Sequence, residues 1–419
     1  MTSVSNKGLP GSAKGGDTRH RVDCQICGSP TIPGLDLGHQ PVSDLILSPA
    51  QLNQPETFYP LQLYYCRTCW LTQLGYSVNP KVVFKNFPFV SGTTQTATRH
   101  LQSLPKQLVE MLSLNRRSFA IDIGSNDGTL LKGYVPHGVK FLGVDPAGDP
   151  VRIANAQGIE TLHRFFNAET AEEVLDHYGK AEAITACGVF AHIADLVGVM
   201  KGVKRLLVKR GIFATDSQYW LDMVLRRHYD NIFHQHLRYY SLKPLIHLYR
   251  QYDMEVFDVE RSEVYGGSIR VFGGHSGAFP ISPRVAELVA LEEQQKLYNA
   301  GTQERFAREV RQRKRKLFDA VYKLSSAGKK VIGIGAPAKA ATVCNYCRLG
   351  PDQVEYITEV NPLRIGKFLP GVHVPILSEE YMFQDSPPAD AGILFAWNYY
   401  DEIVPKLRQR GFKGKVLLP

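Results

Sequence analysis

Ser118-Phe-Ala-Ile-Asp122-Ile-Gly124-Ser125-Asn126-Asp127-Gly128-Thr129 decides how this chain is read. A short apolar run bounded by turn residues reads as a buried strand, and the glycines and small polar residues after it read as a tight turn opening a helix. That order is where a doubly wound sheet binds its nucleotide. The turn is not the three-glycine dinucleotide fingerprint, and it carries two carboxylates, Asp122 and Asp127. Negative charge opposes a pyrophosphate but suits a ligand whose reactive end is a sulfonium and an ammonium. S-adenosylmethionine is that ligand.

Downstream, Asp145 ends the strand of KFLGVDP about twenty residues past Gly124, where a carboxylate accepts hydrogen bonds from ribose hydroxyls. The expected cofactor contacts are Asp122, Gly124, Ser125, Asn126, Asp127, Gly128, Asp145, Pro146 and His192. His192 closes CGVFAH after a later strand, where an adenine edge falls; a packed core histidine is the plainer reading. Strands and helices alternate through AEAITAC and GIFATDS, which predicts a parallel, doubly wound, Rossmann-like sheet. MEVFDVERSEVYGGSIRVFGG adds two strands joined through a glycine pair, an antiparallel extension. After a polar helical bridge, KKVIGIGAPAKA, VEYITEVNP and AGILFAWNYYDEI form a second α/β lobe. Its loop Gly333-Ile-Gly335-Ala-Pro-Ala-Lys339 has proline and lysine where a redox nucleotide's fingerprint wants its last glycine.

Upstream, Cys24-Gln-Ile-Cys27 and Cys66-Arg-Thr-Cys69 are two Cys-x-x-Cys knuckles. Four thiolates converging on one Zn2+ leave no open position for water, so the site is structural. Four unligated cysteines would leave a small segment with little core. Cys344 and Cys347 lie on an apolar helix start with no second pair nearby and read as packing residues. The predicted layout is a lead-in at 1–20, a zinc-binding module at 21–80, a connecting loop and helix at 81–115, a methyl-donor-binding core at 116–300 and a Rossmann-like C-terminal lobe at 301–419.

The chain has 419 residues, too many for one core, and a composition ordinary for a soluble protein. There is no apolar run of membrane-spanning length, and the N-terminus has no signal-peptide pattern, so a cytoplasmic location and no membrane partner are expected. Of the net charge of +9, much sits in the lead-in and in the run from Arg308 to Lys316. That run reads as a solvated helix face and not as a nucleic-acid surface; steering of an anionic, phosphate-bearing substrate is the sharper alternative.

The remaining chemistry concentrates in Tyr229-Asp-Asn-Ile-Phe233-His234-Gln235-His236-Leu-Arg-Tyr239-Tyr240-Ser241. Its histidines and tyrosines can take up or pass on protons near neutrality. His234 and His236 share a face only on an extended or irregular segment. The plain reading is an aromatic helix start with surface histidines. Methyl transfer to carbon needs a base that removes a proton beside a carbonyl, and His236 is the candidate.

These segments together resemble the three-domain, zinc-containing sugar C-methyltransferases of deoxysugar biosynthesis. The resemblance covers nearly the whole chain after the lead-in, through both cysteine pairs, FVSGTT at 89–94, DIGSNDGTLL at 122–131, GVDPA at 143–147, VFAHIADL at 189–196, FHQHLRYYSL, YGGSIRV at 265–271, GAPAKA at 335–340 and AWNYYDEI at 396–403. It implies S-adenosylmethionine on Gly124, Asp127 and Asp145. It also implies a catalytic set of His236, as the base, with His234, Tyr229 and Gln235, and an enolate of a nucleotide-linked 4-keto sugar attacking the methyl group. Ser91, Thr93, Tyr239, Tyr265, Lys339, Asn345 and Tyr346 are the implied substrate contacts, with the sugar nucleotide between the core and the C-terminal lobe. A small-molecule substrate is the expected partner, with no nucleic acid and no membrane; the sequence does not decide the oligomeric state, and a monomer is favoured. The family pattern Tyr-His-Glu-His here reads Phe233-His234-Gln235-His236, and Phe89 replaces a frequent tyrosine. Losing a carboxylate beside His236 removes support for its cationic form. An oxygen, nitrogen or non-sugar acceptor, or a protein that binds the methyl donor without transferring its methyl group, stays open on these residues.

Overall fold

A computed structural model describes residues 22–83, 91–93 and 95–419, the Thr93 side chain excepted. Phe89 and the Thr93 side chain therefore lie outside the described residues. The N-terminal unit is an antiparallel sheet of β1 (Thr31–Gln40), β2 (Tyr59–Cys66) and β3 (Thr72–Leu74). Its own apolar content is small, with Leu35, Leu37, Leu61 and Leu63 turned inward.

The central unit contributes β4 (Phe119–Ile123), β5 (Lys140–Asp145), β6 (Thr161–His163), β7 (Ala181–Cys187), β8 (Leu207–Gln218), β9 (Arg238–Tyr239), β10 (Met254–Ser262) and β11 (Ser268–His275). All but β9 form one sheet in the order β10-β11-β8-β7-β4-β5-β6. The five strands from β6 to β8 are parallel, and β11 runs antiparallel between β8 and β10, the extension expected from the glycine-paired segment. Every residue of β4 is buried, as a strand covered on both faces by helices requires. The chain lays β5 and β6 on one side of β4, then crosses to lay β7 and β8 on the other. The topological switch point is therefore between β4 and β7, at the turn after Ile123.

The two residues of β9 leave this sheet and pair with β3, so the N-terminal sheet reads β1-β2-β3-β9. The polar bridge is two helices, Pro283–Gln294 and Ala300–Ser326. On the second, Arg308, Arg311, Arg315 and Lys316 are exposed, while Arg313 donates to the Arg226 carbonyl and the Lys314 ammonium lies 4.1 Å from the Tyr346 ring. The C-terminal lobe is a parallel sheet of β12 (Val331–Ile334), β13 (Ile357–Glu359), β14 (Ile376–Ser378), β15 (Ala391–Leu394) and β16 (Lys415–Leu417), in the order β14-β13-β12-β15-β16. Its switch point lies after β12, where the helix Ala338–Cys347 begins. Cys344 and Cys347 are buried in that helix. No helix among the described residues is long and apolar enough to cross a membrane.

Candidate active site

At the core's switch point the chain reverses through Gly124 (φ 71°) and Gly128 (φ 75°), a conformation side-chain-bearing residues rarely adopt. A Cβ on Gly124 would also stand 2.6 Å from Val189, so the loops after β4 and β7 close on each other here. Asp145 braces the turn: one carboxylate oxygen accepts from the Asn126 N–H at 2.9 Å, the other from the Ala147 N–H at 2.8 Å. Each oxygen keeps a lone pair for a ligand hydroxyl. The Asp127 carboxylate accepts from Thr129 and from the Gly92 N–H, and Ser91 N–H donates to Asn126. The 91–93 turn thus lies over the Gly124–Gly128 turn. Asp122 accepts from the Thr185 hydroxyl at 2.6 Å, and burial raises its carboxyl to about 7. The Ser125 hydroxyl is buried without a protein partner. An acidic, tightly turned cradle with an unanswered hydroxyl fits a polar, cationic ligand.

The four sulfurs of Cys24, Cys27, Cys66 and Cys69 lie within 4.8 Å of one another. Cys24 and Cys69 are 3.5 Å apart, as are Cys27 and Cys66. The sulfur pair Cys24 and Cys69 shares a proton, the hydrogen bond lowering the Cys24 thiol and raising that of Cys69. An all-sulfur, closed set fits structural Zn2+.

The segment 229–241 is neither a helix start nor a surface stretch. It is a one-turn 3-10 helix, Tyr229–Asn231, then an irregular run into β9. The His236 Nδ1–H donates to the Asn231 carbonyl at 3.0 Å, which leaves Nε2 as the basic nitrogen. Its ring stacks on His192 at 4.8 Å and lies 4.0 Å from Phe233. Leu237 N–H donates to the Ala191 carbonyl, fixing this stretch to the loop after β7. Burial lowers His236 to about 4 and pushes His192 well below the ordinary histidine range, so both rings are neutral near pH 7. His192, expected on the cofactor, is placed here against the candidate base.

The neighbouring side chains turn elsewhere. His234 donates from Nε2 to the Tyr59 carbonyl of β2. Gln235 accepts from Ser43 at 3.2 Å and donates to Asp44 at 3.1 Å, and Arg364 of the C-terminal lobe also donates to Asp44, at 2.8 Å. Tyr229 meets the Cys347 sulfur at 3.5 Å and the Tyr346 ring. His234, Gln235 and Tyr229 thus hold the three units together around His236.

Of the implied substrate contacts, Tyr239 is buried with its ring edge toward His236. Tyr265 takes a left-handed backbone (φ 58°) and lies edge-on to His100. Asn345 donates to the Ala341 and Pro370 carbonyls, and Tyr346 packs against Tyr229 and Lys314. Lys339 is buried where the lobes meet, donating to Asn398 and lying 4.1 Å from the Trp397 ring.

Sequence reasoning missed two groups. At the end of β8, Asp216 accepts from His100 Nε2–H at 2.8 Å and from Arg270 at 3.1 Å. Burial pushes its carboxyl up, but these two partners more than offset that and leave it below the ordinary range. An acidic residue ending a strand, as Asp145 does, was the available signal; His100 had none. The second group, Asp230, His228 and Trp397, surrounds Lys339. The Trp397 indole donates to Asp230, and its ring lies 4.1 Å from His228.

Three family models match in chain order: a putative zinc binding domain at 24–84, a methyltransferase domain at 97–259 and a C-methyltransferase C-terminal domain at 263–419. The C-methyltransferase NovU of Streptomyces niveus is 32% identical over 384 residues, 91% of each chain. Among solved structures, magnesium protoporphyrin IX methyltransferase from Synechocystis PCC 6803 overlaps 43% of this chain and 83% of its own at 12% identity and a TM-score of 0.35. The 1,6-didemethyltoxoflavin-N1-methyltransferase of Burkholderia thailandensis overlaps 44% and 80% at 16% identity and a TM-score of 0.35. At these TM-scores neither overlap bears on chemistry. The methyltransferase and zinc-binding family models, the NovU relative and the closed four-cysteine centre together define the class: an S-adenosylmethionine-dependent methyltransferase with structural zinc. Within that class, the chain belongs to the three-domain, zinc-containing C-methyltransferase family represented by NovU.

Proposed function

We propose that this enzyme methylates a carbon alpha to a ketone, in a nucleotide-linked keto-deoxysugar, through base-assisted enolate formation. The observation that carries the reading is His236: an imidazole held in one tautomer by the Asn231 carbonyl and stacked on His192, in the loop after β7. A carbon acceptor becomes nucleophilic only after losing a proton, and a neutral Nε2 beside the cofactor edge supplies the base. S-adenosylmethionine, when bound, supplies an electrophilic methyl group on a sulfonium. The chain's own part is to hold the donor on the Gly124–Gly128 turn and Asp145, and to receive the proton on His236. Lys339, beside Trp397 and Asn398, lies where core and C-terminal lobe meet, and the small-molecule acceptor would be held there, with Tyr239 packed against His236 and Tyr265 against His100. The sugar nucleotide rests on the family resemblance.

The test is incubation of the zinc-loaded protein with S-adenosylmethionine and a panel of nucleoside-diphosphate 4-keto-6-deoxyhexoses. A new carbon-methyl product together with S-adenosylhomocysteine is expected, and His236→Ala should bind the donor normally while turnover falls about 10²-fold or more. Turnover confined to oxygen, nitrogen or non-sugar acceptors, or a fully active His236→Ala, overturns the reading.

A further inference from the structure

Enolate formation moves negative charge from carbon onto the ketone oxygen, and a base alone leaves that charge unanswered. Lys339 is placed to answer it. It is 8% exposed, at the start of the helix Ala338–Cys347, and that helix is tied to the catalytic segment where the Thr342 hydroxyl donates to the Ile232 carbonyl at 3.0 Å. One ammonium N–H goes to the Asn398 side-chain carbonyl, while the Trp397 ring, 4.1 Å away, faces the cation. An ammonium has three donors, so the neutral Asn398 leaves it capacity for an oxyanion. Trp397 is fixed in turn by its indole N–H on Asp230 and by contact with His228. The next residue, Asn231, supplies the carbonyl that orients His236. Cation and base are thus referenced to one short turn, 229–231, and the charge of Lys339 is felt at both His228 and His236.

We propose that Lys339 is a further catalytic residue, whose ammonium receives the charge developing on the substrate's ketone oxygen while His236 takes the carbon-bound proton. The inference rests on the enolate reading above and adds the group that makes the enolate accessible. The C–H bond breaks, its proton goes to His236 Nε2, and its electron pair enters the C=C bond as the carbonyl π pair moves to oxygen beside Lys339. The pair then returns to re-form the carbonyl as carbon bonds to the methyl group, whose bond to sulfur breaks with both electrons left on the thioether.

Hydrogen exchange at the alpha carbon isolates the first half of this sequence. With a thymidine-diphosphate 4-keto-6-deoxyhexose in deuterated water and no methyl donor, the wild-type protein should wash deuterium into that carbon. Lys339→Gln should slow both exchange and kcat by about a hundredfold or more while leaving donor affinity by calorimetry unchanged, and Lys339→Arg should recover part of the loss. Asn398→Leu, which keeps the ammonium but removes its anchor, should slow exchange to a smaller degree and guards against a Lys339 variant that misfolds. If Lys339→Gln raises KM but leaves kcat and exchange intact, the lysine serves ground-state binding, as of a phosphate, and the proposal fails while carbon methylation stands. If the wild-type protein neither exchanges nor methylates the carbon, the enolate reading falls and takes the proposal with it.

Discussion

A ring nitrogen that must donate to a main-chain carbonyl makes its partner nitrogen the acceptor, so the Asn231 carbonyl decides the chemistry of His236 before any substrate arrives. On the roles proposed for His236 and Lys339, the pH dependence of kcat/KM follows from two groups with opposite requirements. His236 must be neutral, and burial holds it at about 4, so activity should fall only as pH drops through that region. Lys339 must be charged, and burial lowers it to about 8 against the pull of Asp230, so activity should also fall as pH rises through 8. The groups facing the ammonium are Asp230, His228 and His236, and both histidines are neutral over this range. Lys339→Arg should therefore flatten the alkaline limb, because a guanidinium stays protonated; an unchanged limb in that variant would assign it to another group. Asp216 makes a separate prediction. Replacing it with Asn strands the buried Arg270 guanidinium without its counter-charge, which should cost about 3–5 kcal/mol in urea unfolding. Neither the Asp216–His100–Arg270 cluster nor the Asp230–His228–Trp397 cluster could be singled out in the sequence, because nothing local to His100, Arg270 or Trp397 tells which carboxylate they will meet.

At the scale of elements, the core was legible because a strand buried on both faces and the helices between such strands carry strong local patterns, as Phe119–Ile123 and the turn after it do. The segment 229–241 was not, because its shape comes from partners far away: β3 pairs with Arg238 and Tyr239, and Asp44 binds Gln235. That pairing also accounts for the glutamine. A glutamate at 235 would face the Asp44 carboxylate across about the distance of a hydrogen bond, with Arg364 already engaged, whereas an amide donates there. Gln235→Glu should accordingly lower activity at pH 8 and regain part of it toward pH 5, as the new carboxyl takes up a proton and can donate to Asp44; equal loss at both pH values would mean the site simply fails to pack. A second junction titrates in the native chain. The Glu292 carboxyl accepts from the Tyr219 and Tyr298 hydroxyls and the Leu242 N–H, and burial raises it to about 7. The folded state keeps a proton that the unfolded chain releases above about 4.5, so the wild-type protein should lose stability as pH rises from there to 7. Glu292→Gln should remove that slope in denaturant titrations at several pH values.

For the molecule as a whole, the zinc centre lies outside the chemistry yet within reach of it. Its small sheet includes β9, and the Leu74 N–H donates to the Leu237 carbonyl, the residue next to His236. Chelation should therefore lower kcat while calorimetry still records donor binding on the separate Gly124–Gly128 turn; full activity after complete zinc removal would contradict this. The three-unit layout was readable from the cysteine spacing and the two α/β patterns, but the seam between the N-terminal unit and the C-terminal lobe was not, since it is closed by side chains from opposite ends of the chain, Asp44 with Arg364 and Glu56 with His373. The lending of β9 to the N-terminal sheet also bears on how such enzymes can be recombined. A hybrid that exchanges only the cysteine-bearing portion between two homologues would ask a foreign β3 to receive a resident β9, and would leave Gln235 opposite an unmatched partner. Grafts that carry residues 229–241 along with the incoming portion should yield working hybrids more often, making the cassette that evolution or an engineer can shuffle discontinuous in the gene.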